Sequence, residues 1–201
     1  MKQYTLLLMM GLLLQNPQAT FSKTNEAYII KRTNVRIKVD HKLFRLHFVS
    51  RSPQQIAAFY YARGFPDTMV NKLKTMCFIT MGMTNKSKKI LWLDIRQWKF
   101  SDKDGPLKRY TRAYWFEQWK TMKIPLRFQS TFRWTLLPTS LDYRPQEREG
   151  GNVTLQRRNQ AITVTALIQP GQDRNEKPIK VIISNVRCAN DLAPKPKRSP
   201  K

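Results

Sequence analysis

The sequence predicts a mainly β protein, an antiparallel β-sandwich that carries short helical insertions. Three observations support this fold class. About seven segments alternate apolar and polar residues, turn-forming residues separate them, and the two cysteines lie at the ends of two such segments. The composition is that of a globular chain, since 41% of the residues are hydrophobic and 11% are aromatic. An α+β fold remains the alternative.

The first 19 residues have the layout of a secretory signal peptide. Lys2 precedes an apolar stretch, residues 4–14, and a polar segment with the small residue Ala19 follows. The stretch is shorter than the roughly 20 residues that a spanning helix needs, and no cysteine follows it that could carry a lipid. Pro17 stands where a small residue is usual, so cleavage and retention as an anchor both stay open. We expect an exported protein, periplasmic or secreted.

One domain is predicted over residues 20–188, and it opens with a hairpin. Every second residue is apolar on each side of residues 40–42. The apolar positions are odd-numbered before this point, Val35, Ile37 and Val39, and even-numbered after it, Phe44, Leu46 and Phe48, so a turn is predicted between two strands. Ser52 and Pro53 then predict a helix start, and Gly64 a helix end. With a second short helix near residues 66–76, these elements form a helical insertion over residues 53–76.

The rest of the domain is predicted as strands around a second helical insertion, residues 108–123. A strand starts at Cys77, and residues 90–100 are apolar on both faces, which indicates a central strand or a bulge. Residues 130–138 are predicted as a strand because Phe132, Trp134 and Leu136 alternate. Residues 139–152 are predicted as a loop, and three strands close the domain. Residues 189–201 are predicted to be a disordered basic tail.

The predicted export favours a disulfide between the two cysteines. Cys77 and Cys188 are the two cysteines of the chain, and an exported chain meets an oxidising compartment. Both lie at predicted strand ends, where a disulfide is geometrically reasonable. Such a bridge would stabilise the fold by about 4–5 kcal/mol. A reactive Cys77 thiol is the alternative, but no CxxC motif or neighbouring histidine supports it.

The run of strands from Cys77 onward resembles immunoglobulin-like extracytoplasmic modules of bacteria. The resemblance is carried by "CFITMGMTNKSKKILWLDI" and "FRWTLLP", and its architecture covers roughly residues 35–188. It implies an immunoglobulin-like sandwich. It transfers no functional residue, because no family-specific motif is present.

The charge of the chain points to an anionic partner. Lys and Arg number 37 against 13 Asp and Glu, which gives a net charge of +24. We expect contacts with an anionic envelope polymer, a membrane surface or an acidic protein. The alternative to such a partner is a basic surface that binds nothing specific. The predicted anion-binding residues are Lys86, Lys88, Lys89, Lys108, Arg109 and Arg112, and in the tail Lys195, Lys197, Arg198 and Lys201.

Two other classes of function are less well supported. Five tryptophans interleave with basic residues, which would suit nucleic acid, although a tryptophan-rich core explains most of them. A hydrolase using Asp94 or His47 lacks paired catalytic groups at any recognisable spacing. His41 and His47 are predicted to be two separated surface histidines. We expect no catalytic residues, no metal and no cofactor, hence a non-enzymatic binding or structural module.

Overall fold

The computed structural model describes residues 28–33 and 36–190. The predicted signal peptide and the tail from residue 191 onward lie outside the described residues. The described residues form twelve strands: β1 Ile29–Arg32, β2 Arg36–Asp40, β3 Phe44–Arg51, β4 Cys77–Asn85, β5 Leu91–Asp94, β6 Lys99–Asp102, β7 Gly105–Pro106, β8 Arg109–Tyr110, β9 Ser140–Tyr143, β10 Arg148–Leu155, β11 Ile162–Pro170 and β12 Ile179–Val186.

The strands form two antiparallel sheets, which confirms the predicted fold class. Sheet A has the order β1-β2-β3-β4-β10-β8, and sheet B has the order β7-β6-β11-β5-β9, with β12 also paired to β11. The predicted hairpin of β2 and β3 is present, and Val39 pairs with Leu46 across it. The strand predicted over residues 90–100 is split into β5 and β6 by a 3-10 turn, Ile95–Gln97.

The inner faces of the two sheets share one apolar core. Alternate residues of β11, among them Val164 and Ala166, are fully buried there, as the period of two requires. Cys77 and Cys188 are joined by a disulfide with a Cα–Cα distance of 5.3 Å, which confirms the predicted bridge. The bridge links the first residue of β4 to the chain just after β12, so it ties sheet A to sheet B.

Four helices cover one end of the outer face of sheet A: α1 Pro53–Tyr61, α2 Asp67–Lys74, α3 Arg112–Thr121 and α4 Leu126–Thr135. The predicted start of α1 is confirmed, because Ser52 and Gln55 form a reciprocal capping box. The helices enclose a second apolar core around Trp115, Trp119 and Phe132, closed below by Phe78 of β4. No described helix is long and apolar enough to cross a bilayer.

The prediction of a strand over residues 130–138 is wrong, because most of those residues belong to α4. Phe132 and Trp134 would share a face in a strand, but Phe132 is buried and Trp134 is 78% exposed. Pro125 precedes the first residue of α4, a position that suits proline because the first helical N–H groups need no partner within the helix. The loop predicted over residues 139–152 also contains β9 and the first half of β10.

Candidate functional site

The outer face of sheet A carries a row of directly paired residues that crosses five strands. Each residue of the row lies directly opposite the next one on the neighbouring strand. From β1 to β10 the row is Lys31, Lys38, His47, Gly82 and Gly150. Residues directly opposite each other in an antiparallel sheet lie on the same face. The row therefore places two lysines and a histidine in line with a floor made of two glycines.

This face of sheet A is strongly basic. Its outward-facing cations are Lys31, Arg36, Lys38, Arg45, Arg51 and Arg148. On the described strands, the same face has one carboxylate, Asp40, which pairs with Arg45 and Lys86. The outward charges on the strands of sheet B balance instead: Lys99 and Lys180 against Asp94 and Asp142. The excess positive charge of the described strands is thus concentrated on one side of the sandwich.

A cleft of ≈ 790 Å³ lies where this basic face meets α1 and α4. His47, Arg51, Arg148 and one carboxylate residue, Glu149, line its sheet side. Two exposed aromatic side chains line its helical side: Phe59 of α1, 39% exposed, and Trp134 of α4. The cleft thus combines cations with ring faces, an arrangement that can hold an anionic chain by charge and stacking together.

Glycines make the floor of the cleft possible. A Cβ atom at Gly82 would lie 2.3 Å from Cε1 of His47, so only glycine lets the imidazole lie flat across the neighbouring strand. A Cβ atom at Gly151 would lie 2.4 Å from the backbone nitrogen of Leu137. Because Gly151 is bare, the Leu137 N–H can donate to the Asn152 carbonyl at 3.0 Å. That contact fixes the end of α4, and with it Trp134, beside the sheet.

Hydrogen bonds order the polar wall of the cleft. The Arg51 Nε donates to Thr80 Oγ1 at 2.9 Å, and that hydroxyl donates to Asn152 Oδ1 at 2.8 Å. Tyr60 and Thr135 hydroxyls bond at 2.8 Å and join α1 to α4. Burial raises the pKa of Tyr60 to about 12, so its hydroxyl stays protonated. The guanidinium of Arg51 is therefore held in place before any ligand arrives.

His47 is the titratable group at the centre of the basic row. Partial burial lowers the pKa of His47 below its usual value, and the charges of Arg148, Arg36, Lys38 and Arg51 lower it further. Burial first, and the cationic neighbours second, therefore disfavour the protonated imidazole. An anion bound among these cations would oppose their contribution and raise the pKa of His47.

The predicted anion-binding residues of the domain fall into two groups at opposite ends of β4. Lys86, Lys88 and Lys89 follow its last residue, where Lys86 pairs with Asp40 and Lys89 pairs with Glu176 at 2.8 Å. The turn is held by Asn85, whose side chain donates to two carbonyls and accepts from Ser87. Two of these three lysines are thus already neutralised by carboxylates.

The second group lies near the first residue of β4. Arg109 is opposite Leu155, which in turn is opposite Cys77, so roughly 25–30 Å of strand separates the two groups. Lys108 lies 5.6 Å from the ring centres of Tyr110 and Tyr114. Arg112 donates to the Leu136 carbonyl at 2.8 Å. The structure does not bring the two groups together, and the predicted tail residues 195–201 lie outside the described residues.

Asp94 and His47, the candidate residues of a hydrolase, do not lie together in the structure. Asp94 of sheet B is held by the Arg96 guanidinium, whereas His47 is on the outer face of sheet A. His41 is buried, stacked on Phe44, and accepts a hydrogen bond from Leu43, so the expectation of two surface histidines is wrong. Among residues 28–33 and 36–190, no group of three or more His, Cys, Asp or Glu side chains could hold a metal.

Most tryptophans are core residues, as the sequence favours. Trp98, Trp115 and Trp119 are buried, Trp92 is partly buried, and Trp134 is exposed in the cleft. The basic face of sheet A is not among the sites predicted from the sequence. Its signal was present, because Arg36, Lys38 and Arg45 alternate with apolar residues at the strand period of two.

Comparison with known proteins gives little similarity. No protein-family model and no curated protein sequence matches the chain. Among solved structures, the chain is similar to "a putative lipoprotein (ycdA)" from Bacillus subtilis, with a TM-score of 0.38 and 9% sequence identity over 74% of this chain. The chain spans 38% of that protein's length. A likeness this distant carries no argument about function, which has to be inferred from the geometry of the chain itself.

Proposed function

We propose that this protein is an exported, non-enzymatic binding module that holds an anionic polymer of the cell envelope on the outer face of sheet A. The observation that carries the proposal is the row from Lys31 to Gly150, flanked by cations and ending in the cleft. Lys38 and Arg148 have no carboxylate within ion-pair distance among the described residues, so their charge is available to a ligand.

The shape of the site suits an extended chain better than a compact anion. Neighbouring strands lie about 4.8 Å apart, so the row spans roughly 19 Å between the first and last of its five strands. Several anionic groups of one polymer can therefore contact the face at once. Phe59 and Trp134 add ring faces at the cleft, where sugar or base rings could stack.

The test measures binding of dextran sulfate, and uncharged dextran is the control polymer. We expect the wild-type protein to bind only the sulfated polymer, with an affinity that falls as salt rises. The variant K38S/R148S should bind roughly tenfold more weakly, since two surface contacts of about 0.7 kcal/mol each are lost.

The matched control is K99S/K180S, which removes two exposed lysines from the outer face of sheet B. Its total charge equals that of K38S/R148S, so a difference between the two variants reports position and not net charge. Equal losses in both variants would contradict the proposal. A clear preference for oligothymidylate over dextran sulfate, lost on Trp134→Ala, would instead favour a nucleic-acid-binding protein.

A further inference from the structure

A second surface lies between α3 and α4, on the side of α4 away from the cleft. Each helix contributes residues at the spacing i, i+3, i+4 and i+7, which places them on one helical face. The two sets are Arg112, Trp115, Phe116 and Trp119 of α3, and Leu126, Gln129, Ser130 and Arg133 of α4. Together they line a groove of ≈ 90 Å³. Trp134 is not among them and belongs to the cleft.

The rim of this groove is apolar although it faces solvent. Leu126 is 73% exposed and Phe116 is 54% exposed. Both line the groove, so they form one patch and not two scattered residues. Exposed apolar patches on a monomeric chain commonly mark a protein or membrane contact.

Three residues that line the groove have buried polar atoms without a partner in the described part of the chain. Within the described part of the chain, the buried N–H groups of Arg112 Nε and Trp119 Nε1 find no acceptor, and Gln129 Oε1 finds no donor. Trp119 is almost completely buried. Buried donors without acceptors are costly, so two of them in residues lining one groove indicate an oxygen-rich group that binds there.

The charge around the groove indicates that this group is anionic. Residues 112–135 carry five cations, Arg112, Lys120, Lys123, Arg127 and Arg133, against the single carboxylate Glu117. Burial and the neighbouring charge of Arg133 both lower the pKa of Arg112. No described carboxylate lies within ion-pair distance of Arg112, so an incoming anion would relieve an unfavourable charge contact.

We propose that the α3–α4 hairpin docks on the surface of an anionic phospholipid bilayer. Phe116 and Leu126 enter the boundary between headgroups and acyl chains, while the surrounding cations face the anionic headgroups. As Phe116 and Leu126 move into the bilayer, the groove widens and a headgroup phosphate accepts hydrogen bonds from Arg112 Nε and Trp119 Nε1, which are buried in the free protein. Apolar side chains beside basic ones are the combination that interfacial helices use on such surfaces. This membrane contact is separate from the polymer-binding face of sheet A.

The first test is co-sedimentation with vesicles of phosphatidylcholine and phosphatidylglycerol, compared with phosphatidylcholine alone. The protein is isolated from expressing cells, with its N-terminus defined by intact mass. We expect binding to the anionic vesicles, reduced at least tenfold in F116S/L126S. Ile182→Ser, which removes an exposed apolar side chain from sheet B, should bind as the wild type does. No binding to anionic vesicles, or equal binding by F116S/L126S, would overturn the proposal.

The second test follows the Trp119 indole N–H by NMR during titration with a short-chain phosphatidylglycerol below its micelle concentration. We expect a downfield shift of this signal that is absent with the matching phosphatidylcholine. An equal shift with glycerol phosphate would assign the groove to a free phosphate compound and contradict the bilayer proposal. The K38S/R148S variant should keep vesicle binding and F116S/L126S should keep dextran sulfate binding, so the two proposals fail separately.

Discussion

The imidazole of His47 lies against the backbone of Gly82 on the neighbouring strand, so closely that a Cβ atom at Gly82 would be 2.3 Å from Cε1. Any side chain at position 82 would therefore displace the His47 ring from the floor of the cleft. His47 is also the midpoint of the row from Lys31 to Gly150. The glycine therefore has a role in the site as well as in the fold.

Gly82→Ala should displace the His47 ring and narrow the cleft. Because the ring can rotate away, we expect a modest loss of stability, about 1–2 kcal/mol, and weaker dextran sulfate binding. Urea unfolding of Gly82→Ala, His47→Ala and the double variant measures the coupling. The Gly82→Ala change should cost less in the His47→Ala background. Equal costs in both backgrounds would show that the two residues do not interact.

His47 should make stability fall as the solution becomes acidic. Its pKa in the folded protein lies below the unfolded value of about 6.5, chiefly because of burial. As the pH falls through 6.5, the unfolded chain takes up a proton that the folded chain resists, so the free energy of unfolding decreases. Urea unfolding at pH 7.5 and 5 should show a smaller decrease for His47→Gln than for the wild type. An identical decrease would exclude His47 as the cause.

Reduction of the Cys77–Cys188 disulfide should destabilise the protein strongly. The bridge closes a loop with a sequence separation of 111, for which the chain-entropy model gives a contribution of about 4–5 kcal/mol. Thermal unfolding with and without dithiothreitol measures the loss. The C77A/C188A variant should unfold at a low temperature that dithiothreitol does not change. A wild-type melting temperature insensitive to reduction would contradict the assigned role.

Asn85→Ala should destabilise the turn after β4. Its buried side chain bonds the carbonyls of Lys89 and Tyr143 and both the N–H and the hydroxyl of Ser87. Loss of these partners leaves buried polar groups unsatisfied, at a cost of about 2–4 kcal/mol. Asn71→Ala, at an exposed position of α2, should change the free energy of unfolding by less than about 0.5 kcal/mol. Similar effects at both positions would refute this role for Asn85.

Phe132→Ala and Trp134→Ala should differ sharply, because α4 places these near neighbours on different sides. Phe132 contacts Trp115, Trp119 and Tyr60 in the helical core, so its truncation should cost about 3–5 kcal/mol. Trp134→Ala should leave stability nearly unchanged and weaken ligand binding in the cleft. Denaturant unfolding distinguishes the two, and comparable losses would argue for the strand that the sequence suggested.

The hairpin and the first helical insertion were predictable because each depends on local signals, and the disulfide was predictable because the chain has two cysteines and the layout of an exported protein. Val39 and Leu46 follow a period of two, and Ser52 begins a helix with its own capping residue. The α4 helix was not predictable in this way. Its Phe132 and Trp134 satisfy the strand period by coincidence, while tertiary packing of Phe132 against α3 decides the outcome.

The cleft was not predictable because it depends on which strands become neighbours. Arg148 and His47 are separated by 101 positions in the sequence, and they meet only because β10 pairs with β4 and β4 pairs with β3. The alternating cations of β2 and β3 could have indicated a basic face. The aromatic wall could not be foreseen, since its Trp134 lies on α4, whose sequence has the apolar period of a strand.

The disulfide between Cys77 and Cys188 also decides how the molecule carries mechanical load. The strand that supplies the floor of the cleft begins at Cys77, and the segment between the cysteines is a covalently closed ring. Of the strands that form the basic face, β4 and β10 lie within that ring, whereas β1, β2 and β3, which carry most of its cations, precede it. A polymer pulled along this face would therefore load the segment before residue 77, which can unfold and lengthen while the bridge is intact. The floor of the cleft lies within the ring and would resist extension until the bridge is reduced.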